Sequence, residues 1–212
     1  WTWHDFYANG SLVNNRGEVY VDQWDIGFHP SDPNTIYQFN DGGVQKSTNG
    51  GLWWNKKNKD LVTGQLYRVA SSPSDTTFLI GGFQDHGLQL LDNTGGNTMW
   101  LRWSAADGAN VIVHPTNNNI LYGDFLLGFH NRSTTGGVSW PQTTIAINSG
   151  ITEVGEFIAP LIMHPDDPST LFTASLNKIY KTTNAGIPWF PVSNIPNVNT
   201  LTFDAFDHNI IY

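Results

Sequence analysis

Short apolar runs, broken by clusters of Asn, Asp, Pro, Ser and Gly, recur along the chain in a fixed internal order. Ile26-Gly-Phe-His-Pro-Ser-Asp-Pro-Asn-Thr-Ile-Tyr37 returns as Val69-Ala-Ser-Ser-Pro-Ser-Asp-Thr-Thr-Phe-Leu79, as Val111-Ile-Val-His-Pro-Thr-Asn-Asn-Asn-Ile-Leu-Tyr122 and as Leu161-Ile-Met-His-Pro-Asp-Asp-Pro-Ser-Thr-Leu-Phe172. A fifth copy opens at Leu201-Thr-Phe-Asp-Ala-Phe-Asp-His-Asn-Ile-Ile-Tyr212. Measured on the closing residues Tyr37, Leu79, Tyr122, Phe172 and Tyr212, the intervals are 42, 43, 50 and 40 residues. Runs this short, rich in β-branched and aromatic residues and bounded by turn formers, predict strands and not helices.

A second landmark follows in each copy. Ser47-Thr-Asn49-Gly-Gly51-Leu-Trp-Trp54, Ser133-Thr-Thr135-Gly-Gly137-Val-Ser-Trp140 and Thr182-Thr-Asn184-Ala-Gly186-Ile-Pro-Trp189 share a hydroxyl, then Asn or Thr, then Gly, then Trp at one spacing. Asp92-Asn-Thr94-Gly-Gly96-Asn-Thr-Met-Trp100 is a copy one residue longer. A short polar side chain can bond its own turn backbone, Gly takes a positive φ, and Trp caps an apolar layer. Each repeat therefore reads as strand, His-Pro turn, strand, variable loop, strand, box turn and a Trp-led fourth strand. A period of roughly 40–50 residues built this way is that of a β-propeller with four-stranded antiparallel blades. The repeats run over about 20–60, 61–105, 106–150, 151–195 and 196–212, four blades and the start of a fifth within a partial propeller over 1–212. Up-and-down strands put His-Pro and box turns at one end of every blade. The variable loops and the links between blades share the other end, where ligands are expected, so the boxes and the His-Pro histidines His29, His114 and His164 are read as scaffold.

Composition narrows the classes. The 212 residues include Gly 21, Pro 11, Trp 9, Tyr 7 and Phe 12, which suits tight turns and aromatic strands. A net charge of −8 with no basic run excludes a nucleic-acid partner, which demands dense Lys and Arg. No apolar stretch is long enough for a membrane-spanning helix. With Cys 0 there is no disulfide framework and no thiolate site. The histidines recur one repeat apart at scaffold positions, so no metal site is expected. Calcium at Ser31-Asp32-Pro33-Asn34 or Asp166-Asp167-Pro168 is the remaining cofactor option, against turns that cap themselves.

The boxes resemble the Asp-box of sialidase-like propellers, with Asn or Thr where Asp is usual. The wider chain is similar to secreted Asp-box (BNR) propellers of the sialidase, sortilin and xyloglucanase-like type, particularly bacterial extracellular repeat proteins. The resemblance rests on Tyr20-Val-Asp22-Gln23-Trp24-Asp25, Asn40-Asp41-Gly42-Gly43-Val44-Gln45-Lys46-Ser47, Gln65-Leu66-Tyr67 and Gly81-Gly82-Phe83-Gln84-Asp85-His86-Gly87. It departs at Trp24, where His is usual, and at His86, where Asn is usual. It implies a secreted or cell-surface module that binds a glycan or an extracellular protein without catalysis, in company with further blades. The alternative it implies is a xyloglucanase-like glycoside hydrolase acting on β-glucan. Asp41 is similar in context to the base aspartate of that type, although the residue between Asp and Gly-Gly is missing.

On the loop-and-link end the binding candidates are Asp22, Trp24, Asp41, Phe83, Gln84, Asp85, His86, Phe125 and Phe129, with Asp124, Asp107, Glu153, Glu156, Asn177 and Lys178 nearby in the pattern. Trp24, Phe83, Phe125 and Phe129 would form an aromatic platform for sugar rings. Asp41 and Asp85 are the two carboxyls that a hydrolase would need across the scissile bond. The same aspartates also suit plain turns, Asp accepting backbone N–H groups beside Gly.

Overall fold

The computed structural model describes residues 22–59, 64–92, 99–103, 107–140 and 148–212. Its regular structure is β throughout, in four antiparallel sheets. The first contains β1 (Gln23–His29), β2 (Asp32–Asn40), β3 (Gly43–Ser47) and β4 (Asn55–Lys56). The second contains β5 (Leu66–Ser71), β6 (Leu79–Phe83), β7 (Gly87–Asp92) and β8 (Met99–Trp103). Three strands, β9 (Gly108–Val113), β10 (Leu121–Phe125) and β11 (Phe129–Ser133), make the third; β12 (Leu161–Met163), β13 (Leu171–Ala174), β14 (Ile179–Thr182) and β15 (Phe190–Ser193) make the fourth. In every sheet, strands adjacent in sequence are adjacent in space. The continuation of the third box, 141–147, lies outside the described residues.

The turn chemistry explains the regularity. His29, His114 and His164 each accept, through Nδ1, the backbone N–H two residues on, at 3.2–3.3 Å. Ser72 and Asp204 occupy the same repeat position and accept the N–H of Ser74 and Phe206 in the same way. Three residues after each of these, Asp32, Asp75, Asn117, Asp167 and Asp207 accept the N–H of the residue two further on. Two consecutive side-chain caps thus close every one of these turns, because short acceptors satisfy donors that the hairpin cannot. The Asp32 and Asp167 carboxylates also accept the hydroxyls of Thr35 and Thr170. These aspartates are committed to their own turns, and the calcium option finds no further support there.

The box turns repeat as closely. Ser47, Ser133 and Thr182 each accept the N–H two residues on and the N–H of Gly51, Gly137 and Gly186. Those glycines stand at φ +85°, +84° and +100°, a region that a Cβ disfavours. Asn49 Oδ1 and Thr135 Oγ1 then accept the N–H four residues on. Either side chain therefore does what a carboxylate would do at that position. Trp140 and Trp189 are buried, and Trp54 Cζ2 lies over Gly51. Trp53, read with them as core, is instead 44% exposed, because strand alternation turns it away from its neighbour. Trp100 and residues 93–98 of the longer box, like Trp1, Trp3 and Arg16, carry no described side chain.

The chain divides into two compact units, Trp1–Thr63 and Gly64–Tyr212. Within the second, sheets pack through two apolar clusters. Ile80 and Leu88 join Val111, Val113, Leu121 and Trp140; Tyr122 joins Leu161, Leu171, Tyr180 and Trp189. At the link end the packing tightens to main chain against main chain. A Cβ on Gly82 would strike the Ala109 carbonyl, and one on Gly108 would strike Gly87.

Candidate functional site

The pairing places the β2–β3 turn at Asn40–Gly43, the β6–β7 turn at Phe83–Gly87 and the β10–β11 connection at one end of their sheets, opposite the His-Pro turns. That is the sorting of ends read from the sequence.

In the first unit the end is organised around Asn40 and Asp41. Asn40 accepts the Gly42 N–H at 3.0 Å, and its amide donates to the buried Gln45 side chain at 2.5 Å. Asn58 bonds both Val44 N–H and the Gly42 carbonyl, which pins the turn from its far side. Asp41 is held half-buried on this frame, and its Oδ1 accepts the indole N–H of Trp24. Trp24 is nonetheless 76% exposed. Its single polar atom is bonded and its apolar faces are bare. Asp22, exposed at φ +57°, precedes it in the left-handed conformation that Asp tolerates.

In the second unit the β6–β7 turn is closed by Asp85 at φ +58°. The Asp85 N–H donates to Asp107 Oδ1 at 2.5 Å, and the Gln84 N–H donates to the Gln65 carbonyl at 2.9 Å. His86 donates from Nδ1 to the Gln84 carbonyl at 3.0 Å, folding its ring back on the turn. Gln84, Asp85 and His86 are all half-buried.

Two members of the expected aromatic platform are not available as one. Phe83 is 7% exposed: β6 is covered on both faces, so alternation does not turn it outward. Phe125 is partly buried and packs against the cluster of Ile80, Leu88 and Val111. Phe129 remains open, at 49% exposure. Asp124, a further candidate, is fully buried. Its carboxylate accepts from His130 Nδ1 at 2.7 Å and from Asn110 Nδ2 at 3.3 Å. The same Asn110 amide donates to the Ala159 carbonyl, tying the third sheet to the link before β12.

Glu153 on that link pairs with Lys178 at 2.5 Å and accepts from Ser175 and Asn177. The Lys178 ammonium, foremost, holds the Glu153 carboxyl below its usual range, and Glu153 in turn raises Lys178. These side chains are spent on each other across the β13–β14 turn and the link.

The pattern reading missed Tyr67 and Phe157. Their rings meet edge to face, with centroids 6.3 Å apart and planes at 87°. The repeat itself carried the signal for Tyr67, which stands two residues before Val69 as Trp24 stands two before Ile26.

No family model matches the chain. No curated protein matches it either. Among solved structures it is similar to an ancestral GH74 enzyme, with 21% identity over 82% of this chain and 24% of that one, at a TM-score of 0.47. It is also similar to YCF48 from Cyanidioschyzon merolae, with 15% identity over 88% of this chain and 61% of that one, at 0.43. An auxiliary nutrient binding protein from Bacteroides thetaiotaomicron shares 11% identity over 84% of this chain and 43% of its own length, at 0.47. The chain therefore spans between a quarter and three fifths of the length of these proteins.

Proposed function

We propose that the four sheets are blades of an Asp-box-type β-propeller whose loop-and-link end binds carbohydrate without turning it over. The propeller part is supported by the repeated turn chemistry, the up-and-down order of every sheet and the close approach of β6 to β9. The binding part is carried by one observation: Trp24 is three-quarters exposed while Asp41 holds its indole N–H. Leaving a large apolar ring in water forgoes the free energy of burying it. Fixing that ring before a ligand arrives lowers the ordering cost of binding. A flat apolar face beside a carboxylate suits a sugar, whose C–H face covers the ring while its hydroxyls donate to the acid. In this reading Asp41 anchors Trp24 and accepts sugar hydroxyls; it is neither acid nor base. The setting that goes with such a ligand is extracellular or at the cell surface.

The test is calorimetric titration of the chain with cellohexaose, xylohexaose and mannohexaose, with reducing ends assayed in the same mixtures. Saturable binding to at least one, without release of reducing ends, is expected. Trp24→Ala should weaken it roughly tenfold, the scale of one aromatic contact. Reducing-end release that Asp41→Asn and Asp85→Asn abolish would make the chain a hydrolase instead. Absence of binding to every sugar would end the carbohydrate reading.

A further inference from the structure

The register of the repeats singles out one position at the start of each sheet's first strand. It is Trp24 ahead of Ile26, Tyr67 ahead of Val69, Ala109 ahead of Val111 and Ala159 ahead of Leu161. The two alanines are 0% and 1% exposed, at points where backbone closes on backbone. Tyr67 is different, because it keeps a large ring at that position and faces Phe157, which is 52% exposed.

Phe157 is exposed on a segment that is held firmly. The Leu127 N–H donates to its carbonyl at 3.2 Å, and the Gly155 N–H donates back to Leu127 at 2.8 Å. The Leu176 N–H donates to Val154 at 3.0 Å, and Asn110 takes the Ala159 carbonyl. Leu127 adopts φ +64° to make its two bonds, a conformation costly for a branched side chain. Gly155 packs so tightly on Ala159 and Ala174 that a Cβ there has no room. A rigid link that carries an exposed phenyl ring, against a tyrosine from another sheet, is preorganised for a ligand.

We infer that Tyr67 and Phe157 form a second carbohydrate subsite, on the 64–212 unit, that takes an uncharged sugar ring. The inference rests on the carbohydrate reading above. Charge selects the class of sugar. The link carries two carboxylates, Glu153 and Glu156, against the one cation Lys178 paired to Glu153. A uronate, sialate or phosphate would meet like charge there, and like-charge juxtaposition rejects a ligand.

The experiment titrates the full chain with the three neutral hexasaccharides and with hexagalacturonate. It compares the unaltered protein with Phe157→Ala, Phe157→Tyr and Trp24→Ala, and reads the thermal midpoint of each as a check on folding. Phe157→Ala should weaken the preferred neutral sugar roughly tenfold at an unchanged midpoint, and Phe157→Tyr, which keeps the ring, should stay within about twofold. Hexagalacturonate should bind more weakly than the neutral sugars. If Phe157→Ala binds like the unaltered chain while Trp24→Ala loses affinity, the second subsite is wrong and the carbohydrate reading stands. If no sugar binds the unaltered chain, both fall. Preference for hexagalacturonate would overturn the choice of an uncharged ligand.

Discussion

Asp124 sits opposite His130 across the β10–β11 pair, and both side chains are about 1% exposed. The ring lies 5.4 Å from that of Trp189, and its Nε2 has no hydrogen-bond partner among the described residues. Nδ1 therefore carries the proton that Asp124 accepts, and the pair is a buried ionic hydrogen bond anchored by Asn110. Removing one partner strands the other in a water-free setting. Asp124→Ala should destabilise the fold by about 3–5 kcal/mol in urea titration. Asp124→Asn, which still accepts from His130, should cost less than half of that; equal losses would show that charge and not hydrogen bonding holds the network. Asn131, in the sequon Asn131-Arg132-Ser133, is 5% exposed and donates to the Phe129 carbonyl, so no glycan is expected on it in the folded chain.

At the scale of the turn and the strand, the His-Pro and box turns carry a testable pH dependence. Hydrogen bonds from Thr35, Thr77 and Thr170 hold Asp32, Asp75 and Asp167 below the ordinary carboxylate range, and backbone N–H groups do the same for Asp204 and Asp207. A depressed folded-state value stabilises the fold above the unfolded value near 3.8, and the gain is lost as pH falls through the folded values. The thermal midpoint should be flat from pH 7 to about pH 5 as far as these groups act, then fall below about pH 4. The triple variant Asp32→Asn, Asp75→Asn, Asp167→Asn should flatten the fall; a slope that survives in it would place the acid sensitivity elsewhere. In the boxes, Ser133→Ala removes the acceptor of two N–H groups and should cost about 1–3 kcal/mol, read as a lower urea midpoint. These turns were legible in the sequence because five imperfect copies in one phase reinforce a signal that is weak in each. The strands were legible for the same reason. Phe83 was not, since alternation sorts faces only where one face meets water, and β6 is covered on both. The Asp124–His130 pair was also hidden, because their opposition depends on the length of the connection Leu126–Gly128, which no local pattern sets.

For the whole molecule, the central claim is that the loop-and-link end exists to present fixed, exposed aromatics to an uncharged sugar, while the opposite end is scaffold. Of the aromatic candidates, Trp24 and Phe129 stay open, Phe83 and Phe125 go into packing, and Phe157 joins from a link that no repeat motif marks. Binding and stability should therefore separate by end. Variants at the link end change affinity and leave the midpoint alone, whereas variants of the His-Pro and box turns do the reverse. The most direct single measurement is the calorimetric titration of cellohexaose, xylohexaose and mannohexaose into the unaltered chain and Trp24→Ala, with reducing ends followed in the cell. The account predicts saturable binding of at least one sugar, weakened roughly tenfold by the substitution, with no reducing ends formed. Equal affinity of the two proteins, or steady release of reducing ends by the unaltered chain, would contradict it.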